Sequence, residues 1–347
     1  VSSFRFLSGV DVSRLCDMAS PVENTLALDP AGCYGAVKAS CRSEYRKRVS
    51  KAAQKEGMDE NEYAKKIVRL AEKGRSVKER HVGYYLFPEK KKLAGTLYFV
   101  TVQLFALLFS VSLYPFCSYW CLLTLPASYE LGRRFADFLS SKLCVPTPLL
   151  SLELTGIPDS MRTLTVITAL LSGEDQELFD RLESFSLANR DKNAFFGILA
   201  DLPESRDADS PNDASVLEYA KGRIEALNIK YGGGFCLITR RRSYSQSEKT
   251  YMGWERKRGA VLELCRLLKD EESEDASFFG DYRCTENIRY VITLDADTLL
   301  SVGDVARLVG YMAHPNNLPV MNEEKSAVIS GYGIMQPKME TSLFSAK

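Results

Sequence analysis

The feature that most constrains this sequence is a long run without charge in its first half. From Leu93 to Leu125 the chain contains no Asp, Glu, Lys or Arg, and Ala94–Tyr114 alone supplies the roughly 20 mainly apolar residues that a helix needs to cross a bilayer. The alternative is a helix buried in a protein core. The length of the run favours one membrane span, with lipid as its surroundings.

A second span is an open alternative. Pro115 interrupts the first helix, and the remaining apolar stretch, 116–125, is too short to cross alone unless it continues toward Leu131. If the segment is a hairpin, the flanking basic residues Lys90–Lys92 and Arg133–Arg134 both face the cytoplasm, as the positive-inside rule favours.

Charge and cysteine content argue against a nucleic-acid-binding, disulfide-rich or zinc-binding protein. Forty-five basic residues balance forty-five acidic ones, so we expect no polyanionic partner and no nucleic acid. The nine cysteines are odd in number and form no C-x-x-C pair, which disfavours a disulfide framework and a zinc site.

The pattern along the chain divides it into four parts. We predict a helical N-terminal domain over 1–89, a membrane segment over 90–135, a linker over 136–160 and an α/β domain over 161–347. The predicted strands of the α/β domain are Leu164–Leu171, Ala194–Leu202, Gly234–Thr239 and Tyr290–Leu294. The predicted helices are Asp175–Leu187, Ala214–Ile229, Glu255–Leu268 and Val305–Met312. This alternation predicts a mainly parallel sheet with helices on both faces and a ligand beyond the carboxyl ends of the strands.

The sharpest chemical signal follows the last predicted strand, where Asp295 and Asp297 are one residue apart. Residues two apart in an extended chain point to the same side. Mg²⁺ or Mn²⁺ takes hard oxygen ligands and bridges such carboxylates to phosphate, so the pair predicts a metal and nucleotide site. The alternative is an acidic pair in a turn. A phosphatase of the haloacid-dehalogenase type also has two aspartates after a strand, but it needs Thr where this chain has Leu299.

Two further segments carry polar residues that suit the same ligand. Asp201 ends the second predicted strand and can accept hydrogen bonds from a uracil or ribose, or it is a turn residue before Pro203. Lys257 and Arg258 supply cations that suit a diphosphate, as does the basic triplet Arg240–Arg242. The alternative for these cations is a solvated basic helix start.

A glycine-containing segment near the end of the chain is a candidate for contact with a sugar or acceptor, because glycines allow close backbone approach. Its candidate residues are Gly331, Tyr332, Gly333 and Gln336. We expect His81 and His314 to be structural.

Four motifs together resemble a known family. MGWERKRG, YVITLDADT, LVGYMAHP and GYGIMQPK, in this order and spacing, resemble the family-2-like glycosyltransferase domain (family 84) of cyclic β-1,2-glucan synthases. The upstream stretches FRFLSGVDVSRLCDMASPVENTLALDPAGCY and HVGYYL also resemble that family, so the resemblance covers nearly the whole chain.

The resemblance implies a GT-A-like fold and an inverting transferase that moves glucose from UDP-glucose onto a growing β-1,2-glucan. It also implies a bacterial inner-membrane protein with a cytoplasmic catalytic domain and a Mg²⁺ or Mn²⁺ ion. In the family pattern Asp201 contacts the uridine, Asp295 and Asp297 the nucleotide and metal, and Lys257 with Arg258 the diphosphate region.

The chain departs from the pattern in two respects. Ala169 stands where the family usually has Pro. The general base and the acceptor-clamping motif of such synthases follow the GYGI-type strand, so we expect them after Lys347, assign no catalytic residue within the chain, and expect it to bind its donor without transferring it. Another membrane polysaccharide synthase, cellulose-like or chitin-like, and a degenerate transferase acting as a scaffold remain alternatives.

Overall fold

The structure is a computed structural model that describes residues 20–88, 93–143, 149–271 and 276–338. Several sequence features lie outside these residues. They are the first nineteen residues, the basic cluster Lys90–Lys92, the middle of the predicted linker at 144–148 and the C-terminal stretch that ends at Lys347.

The N-terminal part is helical. Its helices are α1 (Pro21–Leu26), α2 (Ala39–Glu56), α3 (Glu60–Glu72) and α4 (Val82–Leu86). Gly57 ends α2 in the left-handed conformation that glycine adopts without strain, and the Asp59 side chain caps α3 by accepting hydrogen bonds from two backbone N–H groups. The apolar stripe of α3 packs into a core that these helices share with Leu150 and Leu152.

The charge-free run forms a helical hairpin. Its elements are α5 (Leu93–Ser112), the short helix α6 (Tyr114–Cys117), a 3₁₀ turn (Ser118–Thr124) and α7 (Leu125–Leu143). Among the described residues one helical segment, Gly95–Phe116, is long and apolar enough to cross a membrane. The helix α7 continues to Leu143, so the predicted linker over 136–160 starts as helix.

The two long helices of the hairpin run antiparallel. Tyr98 donates a hydrogen bond to Asp137 at 2.7 Å near one end of the pair, and Ser110 bonds Ser128 at 2.8 Å near the other. Unlike α5, α7 carries charged residues along its middle, and Arg133 forms ion pairs with Glu130 and Asp137. These charges explain why the second predicted span does not have the apolar character of the first.

The remaining residues form an α/β unit. Its strands are β1 (Thr163–Leu170), β2 (Ala194–Asp201), β3 (Phe235–Arg240), β4 (Ser243–Ser245), β5 (Thr250–Met252), β6 (Ala276–Gly280), β7 (Tyr290–Asp295), β8 (Val320–Met321) and β9 (Val328–Ser330). Its helices are α8 (Gln176–Ala188), α9 (Asp213–Tyr231), α10 (Arg256–Leu267) and α11 (Asp304–Ala313). Each of the four strands and four helices predicted for this unit is present, with ends within a few residues of the prediction.

The described strands include a five-stranded sheet of order β6-β3-β2-β1-β7. All neighbours are parallel except β6, which is antiparallel to β3. Ile167 at the centre of β1 pairs with Ile198 on one side and Leu294 on the other. The register thus brings the carboxyl ends of β1, β2 and β7 to one edge of the sheet.

Both faces of the sheet are covered, as strands buried on both sides require. Alternate residues of β2 divide between the faces: Phe196 and Ile198 pack against α8 and α9, whereas Phe195 and Leu199 pack against α10. This arrangement confirms the predicted α/β class with a mainly parallel sheet and helices on both faces.

A buried chain of hydrogen bonds joins the N-terminal helices to the α/β unit. The His81 Nδ1 atom lies 2.8 Å from Asp29, and its Nε2 atom lies 2.7 Å from the Tyr45 hydroxyl. The same hydroxyl lies 3.1 Å from Nε2 of His314, which follows α11. Both histidines are completely buried, in agreement with their predicted structural role.

Candidate functional site

A cleft with a volume of about 830 Å³ opens at the carboxyl ends of β1, β2 and β7. Ligands of open α/β sheets bind in this position. Four of the residues predicted from the sequence line it together: Asp201, Lys257, Asp295 and Asp297. Apolar side chains complete the walls, contributed by Leu170, Leu199, Leu202 and Met252. A cleft of this size, mainly apolar with a few converging charges, suits a small organic ligand.

The two aspartates after β7 sit at a strand end and in a turn. Asp295 is the last residue of the strand, and the N–H of Thr298 closes a turn by donating to its carbonyl at 3.0 Å. Asp297 lies inside this turn, so the chain is not extended through both residues as the sequence argument assumed. Both carboxylates nevertheless line the cleft and both are exposed to solvent.

A lysine from the opposite wall faces this pair. Lys257, in the first turn of α10, donates from Nζ to Oδ1 of Asp295 at 2.6 Å. Both side chains are more than half exposed, so the ion pair itself contributes little to stability. Its interest is positional, because it brings a cation and two carboxylates to one edge of the cleft.

Asp201 is held by a partner that the sequence did not single out for this role. Arg240 binds its carboxylate with two parallel hydrogen bonds, of 2.8 Å from Nε and 2.6 Å from Nη2. The Arg240 side chain is only 3% exposed and that of Asp201 15% exposed. Such a bidentate pair fixes the carboxylate plane. Each of these oxygens can accept a further hydrogen bond, and Asp201 lines the cleft.

The backbone that leads into α10 is unusual. Glu255 and Arg256 both have positive φ angles, of 46° and 43°, which residues other than glycine rarely adopt. The Arg240 guanidinium donates to the carbonyl of Trp254 at 3.0 Å and to that of Arg256 at 2.8 Å, on either side of this strained segment. Arg240 therefore holds the start of α10 as well as Asp201.

The rest of the basic triplet does not face the cleft. The Arg242 side chain is 3% exposed, and its guanidinium binds Asp213, which lowers the pKa of that carboxyl. Arg241 is exposed. The prediction that the triplet serves a diphosphate therefore fails for Arg240 and Arg242, whose hydrogen-bonding groups are used within the protein.

Arg258 and the glycine segment lie outside the lining of this cleft. Arg258 pairs with Glu255 at 3.2 Å on the exposed side of α10. In the glycine segment, Tyr332 donates its backbone N–H to the carbonyl of Asn317, and Gly331 lies so close to Leu318 that a Cβ atom would meet its carbonyl oxygen at 2.1 Å. The predicted roles of Arg258, Gly331, Tyr332, Gly333 and Gln336 therefore stay predictions.

The donor set fits a hard divalent cation only in company with a ligand. No group of three or more His, Cys, Asp or Glu side chains suited to a metal occurs among the described residues. Asp295 and Asp297 supply two exposed carboxylates beside an open cleft. Mg²⁺ typically binds through one or two carboxylates with phosphate and water as the other ligands, and this arrangement agrees with that chemistry.

Comparison with known proteins adds a family relationship. No protein-family model matches the chain. The chain is similar to the curated cyclic beta-(1,2)-glucan synthase NdvB of Rhizobium meliloti (strain 1021), with 31% identity over 391 aligned positions that cover 99% of this chain. The chain spans 14% of the length of that relative. The similarity confirms the resemblance that the four motifs indicated, and it extends over the helical part, the hairpin and the α/β unit alike.

Proposed function

We propose that the chain, which is related over nearly its whole length to one region of a cyclic β-(1,2)-glucan synthase, is a glycosyltransferase region acting in glucan synthesis. The finer proposal is that it binds UDP-glucose and that the acceptor is the growing β-1,2-glucan. The observation that supports it best is the convergence of Asp201, Lys257, Asp295 and Asp297 in one cleft at the edge of a parallel sheet.

The cleft divides into two ends that suit the two halves of a nucleoside diphosphate. At one end the fixed carboxylate of Asp201 can accept a hydrogen bond from the nucleoside, and Leu202 and Met252 offer apolar surface for a base. At the other end the Lys257 ammonium balances phosphate charge. Sugar transfer with inversion also needs a base that deprotonates the acceptor hydroxyl, and we assign that role to none of these residues.

Asp295 and Asp297 would hold a Mg²⁺ or Mn²⁺ ion together with the diphosphate. When bound, such an ion stabilises the negative charge of the departing nucleoside diphosphate as a Lewis acid. The two aspartates provide the oxygen ligands, and Lys257 is within hydrogen-bond distance of the Asp295 carboxylate. Lys257 would thus help to orient Asp295 as well as the diphosphate.

We further propose that α5 anchors this region in a membrane. Leu97, Phe99, Leu104 and Leu107 are largely exposed on α5, and an apolar surface of this extent needs an apolar environment. The resemblance implies the bacterial inner membrane, with the cleft on the cytoplasmic side.

The proposal is tested by calorimetric titration of the purified chain, in detergent, with UDP-glucose in the presence and absence of Mn²⁺. We expect saturable binding that requires the metal. We expect Asp297→Ala to weaken it at least about tenfold, because losing one metal ligand costs more than the 1.4 kcal/mol that a factor of ten represents.

The matched control is Glu323→Ala, which removes an exposed carboxylate outside the cleft and should leave the affinity unchanged. Competition with other sugar nucleotides tests the choice of donor. Absence of binding by the unmodified chain would refute the donor proposal, and equal affinity of Asp297→Ala would refute the metal assignment.

A further inference from the structure

We propose that Arg240 is a positioning residue that fixes both ends of the donor cleft relative to each other. The inference rests on the proposed function, because it assigns Arg240 to the same cleft. Arg240 ends β3 and does not itself line the cleft, and it acts through Asp201 on one wall and the start of α10 on the other.

The first contact fixes the wall formed by β2. Asp201 is the last residue of that strand, and a lone carboxylate there could rotate about its side-chain bonds. The two parallel hydrogen bonds from Arg240 hold its plane, so the oxygen atoms facing the cleft have one orientation before a ligand arrives. A preorganised acceptor loses less entropy on binding than a mobile one.

The second contact fixes the opposite wall. The positive φ angles of Glu255 and Arg256 are unfavourable for residues with a side chain, and such strain persists only where the surroundings hold it. The Arg240 hydrogen bonds to the Trp254 and Arg256 carbonyls bracket the strained residues. Lys257 is the next residue, so its direction into the cleft depends on this backbone.

Two glycines show how closely this arrangement is built around Arg240. A Cβ atom on Gly253 would lie 2.7 Å from an oxygen of Asp201 and 2.9 Å from Nη2 of Arg240. One on Gly259 would lie 2.7 Å from Nη1 of the same arginine. These glycines of the MGWERKRG motif therefore admit the guanidinium between the strand and the helix, which is a structural reason for their presence.

The four hydrogen bonds require the guanidinium itself. Its planar fork reaches the carboxylate and two carbonyls together, whereas the single ammonium of a lysine has three donors on a flexible stem and cannot reproduce the fork. Arg240→Lys keeps the charge beside Asp201 but releases part of this network. The substitution thus separates positioning from simple charge neutralisation.

The chain contains a matched control in Arg242. Its side chain is also 3% exposed, its partner Asp213 is also 15% exposed, and the two groups also form a double hydrogen bond. Arg242 donates to the carbonyls of Pro203 and Ala208 and holds the loop before α9. Pro203 lines the cleft, but the hydrogen bonds that the structure describes for Arg242 reach none of the charged side chains Asp201, Lys257, Asp295 and Asp297, so Arg242→Lys disturbs the lining loop without releasing these groups.

The experiment compares UDP affinity and melting temperature, with Mn²⁺ present, for the unmodified chain, Arg240→Lys and Arg242→Lys. We expect both variants to melt at lower temperature by similar amounts, because each disturbs a buried pair. We expect UDP affinity to fall at least about tenfold in Arg240→Lys alone. Equal affinity losses in both variants, or unchanged affinity in Arg240→Lys, would overturn the inference.

A double-substitution cycle provides a readout that loss of stability does not change. If Arg240 acts through Lys257, Arg240→Lys combined with Lys257→Met should weaken UDP binding by less than the product of the two separate fold-changes. A full product would show that the residues act independently and would contradict this route of action. If the unmodified chain fails to bind UDP, the proposed function fails first, and that result is distinct from a failure of the Arg240 inference.

Discussion

At the scale of single residues, Lys257 and Arg258 show what sequence and structure each contribute. The two cations are adjacent and chemically alike, and both were predicted to serve a diphosphate. Successive residues of a helix point about 100° apart, however, so one reaches the cleft and the other points to solvent beside Glu255. Their different positions around the axis of α10 therefore distinguish the two cations.

We predict different effects for the two cations. Lys257→Met should weaken UDP binding by about tenfold or more, because it removes a charge that faces the diphosphate end of the cleft. Arg258→Met keeps a comparable side-chain length and should change the affinity less than about twofold, as an exposed ion pair contributes little. Titration with UDP at constant Mn²⁺ measures both. A larger effect for Arg258 would show that the donor lies on the other face of α10.

The same distinction explains how much of the site could be predicted. Asp201 and Asp295 end apolar strands, Asp297 follows in the next turn, and strand ends meet at one edge of a parallel sheet, so their convergence follows from the pattern. The role of Arg240 could not be predicted, because a basic triplet at a strand end carries no sign of which member points inward. That depends on which side of β3 faces Asp201, and only the register shows it.

At the scale of elements, the parallel strands were predicted because they are short, nearly continuous apolar runs, and the helices between them because longer, mixed polar and apolar segments separate these runs. The edge strand β6 and the hairpin of β4 and β5 were missed for a physical reason. The hairpin strands contain three residues each and expose or half-expose them, so they have no apolar face to reveal them. β6 was missed because its five residues, ASFFG, are too short and too exposed to form the continuous apolar run that marked the central strands.

The hairpin of α5 and α7 also shows where apolar length is insufficient as a guide. The sequence predicted one span and left open a second, formed by 116–125 continuing toward Leu131. The second helix instead carries Glu130, Arg133 and Asp137, which pair with one another, and Asp137 also accepts a hydrogen bond from Tyr98 near the start of α5. These three side chains are about half exposed, and among the described residues only Gly95–Phe116 is long and apolar enough to span a membrane, so the open second span is not supported.

The start of α10 gives a prediction that compares two helical glycines. A Cβ atom on Gly259 would meet the Trp254 carbonyl oxygen at 1.9 Å, whereas one on Gly222 in α9 would meet nothing within 4 Å. Gly259→Ala should therefore destabilise the chain by about 1–3 kcal/mol through overpacking. Gly222→Ala should stabilise it by about 0.5–1 kcal/mol, because alanine loses less backbone entropy in a helix.

Denaturant unfolding of both variants measures these changes. Gly259→Ala should also weaken UDP binding, because the clash disturbs the backbone before Lys257, and Gly222→Ala should leave binding intact. A Gly259→Ala variant as stable as the unmodified chain would contradict the close packing around Arg240.

At the scale of the whole molecule, the N-terminal helices and the α/β unit are joined by polar groups as well as by apolar packing. The Leu152 N–H donates to the carbonyl of Gly310 in α11, and Glu153 donates to Ala36. The buried chain of hydrogen bonds through Asp29, His81, Tyr45 and His314 also joins the two parts. Its members come from both parts, and no pattern in the sequence relates residues 269 positions apart, such as Tyr45 and His314.

The partners in this buried chain of hydrogen bonds show which atom donates at each step. The Asn316 N–H donates to Nδ1 of His314 at 3.2 Å, so that nitrogen is an acceptor and Nε2 carries the proton. Nε2–H then donates to the Tyr45 hydroxyl, which donates in turn to His81, and His81 donates from Nδ1 to Asp29. Every ring nitrogen has a partner while His314 is neutral, and an added proton on its Nδ1 would face an N–H group.

This arrangement predicts that acid weakens the junction. Burial, aided by the nearby His81, lowers the pKa of His314 to about 3, against about 6.5 in an unfolded chain. Above pH 6.5 neither state binds the proton and the contribution to stability is complete. As the pH falls from about 6.5 toward 3, the unfolded state alone takes up the proton, so the free energy of unfolding decreases by up to about 1.4 kcal/mol per pH unit.

The protein has two histidines, and both belong to this buried chain of hydrogen bonds. Replacing His314 alone therefore isolates its contribution to the loss of stability in acid. Thermal unfolding between pH 7.5 and 4.5, in the same detergent, should show a falling melting temperature that is markedly less steep in His314→Gln, which cannot titrate in this range. Burial is the largest single influence on the pKa of Asp29 and raises it, but the bonds from His81 and from backbone N–H groups together outweigh burial, so the pKa is lowered. Asp29 therefore reduces the free energy of unfolding only below about pH 4. An identical slope in His314→Gln would mean that protonation of His314 is not what weakens the junction in acid.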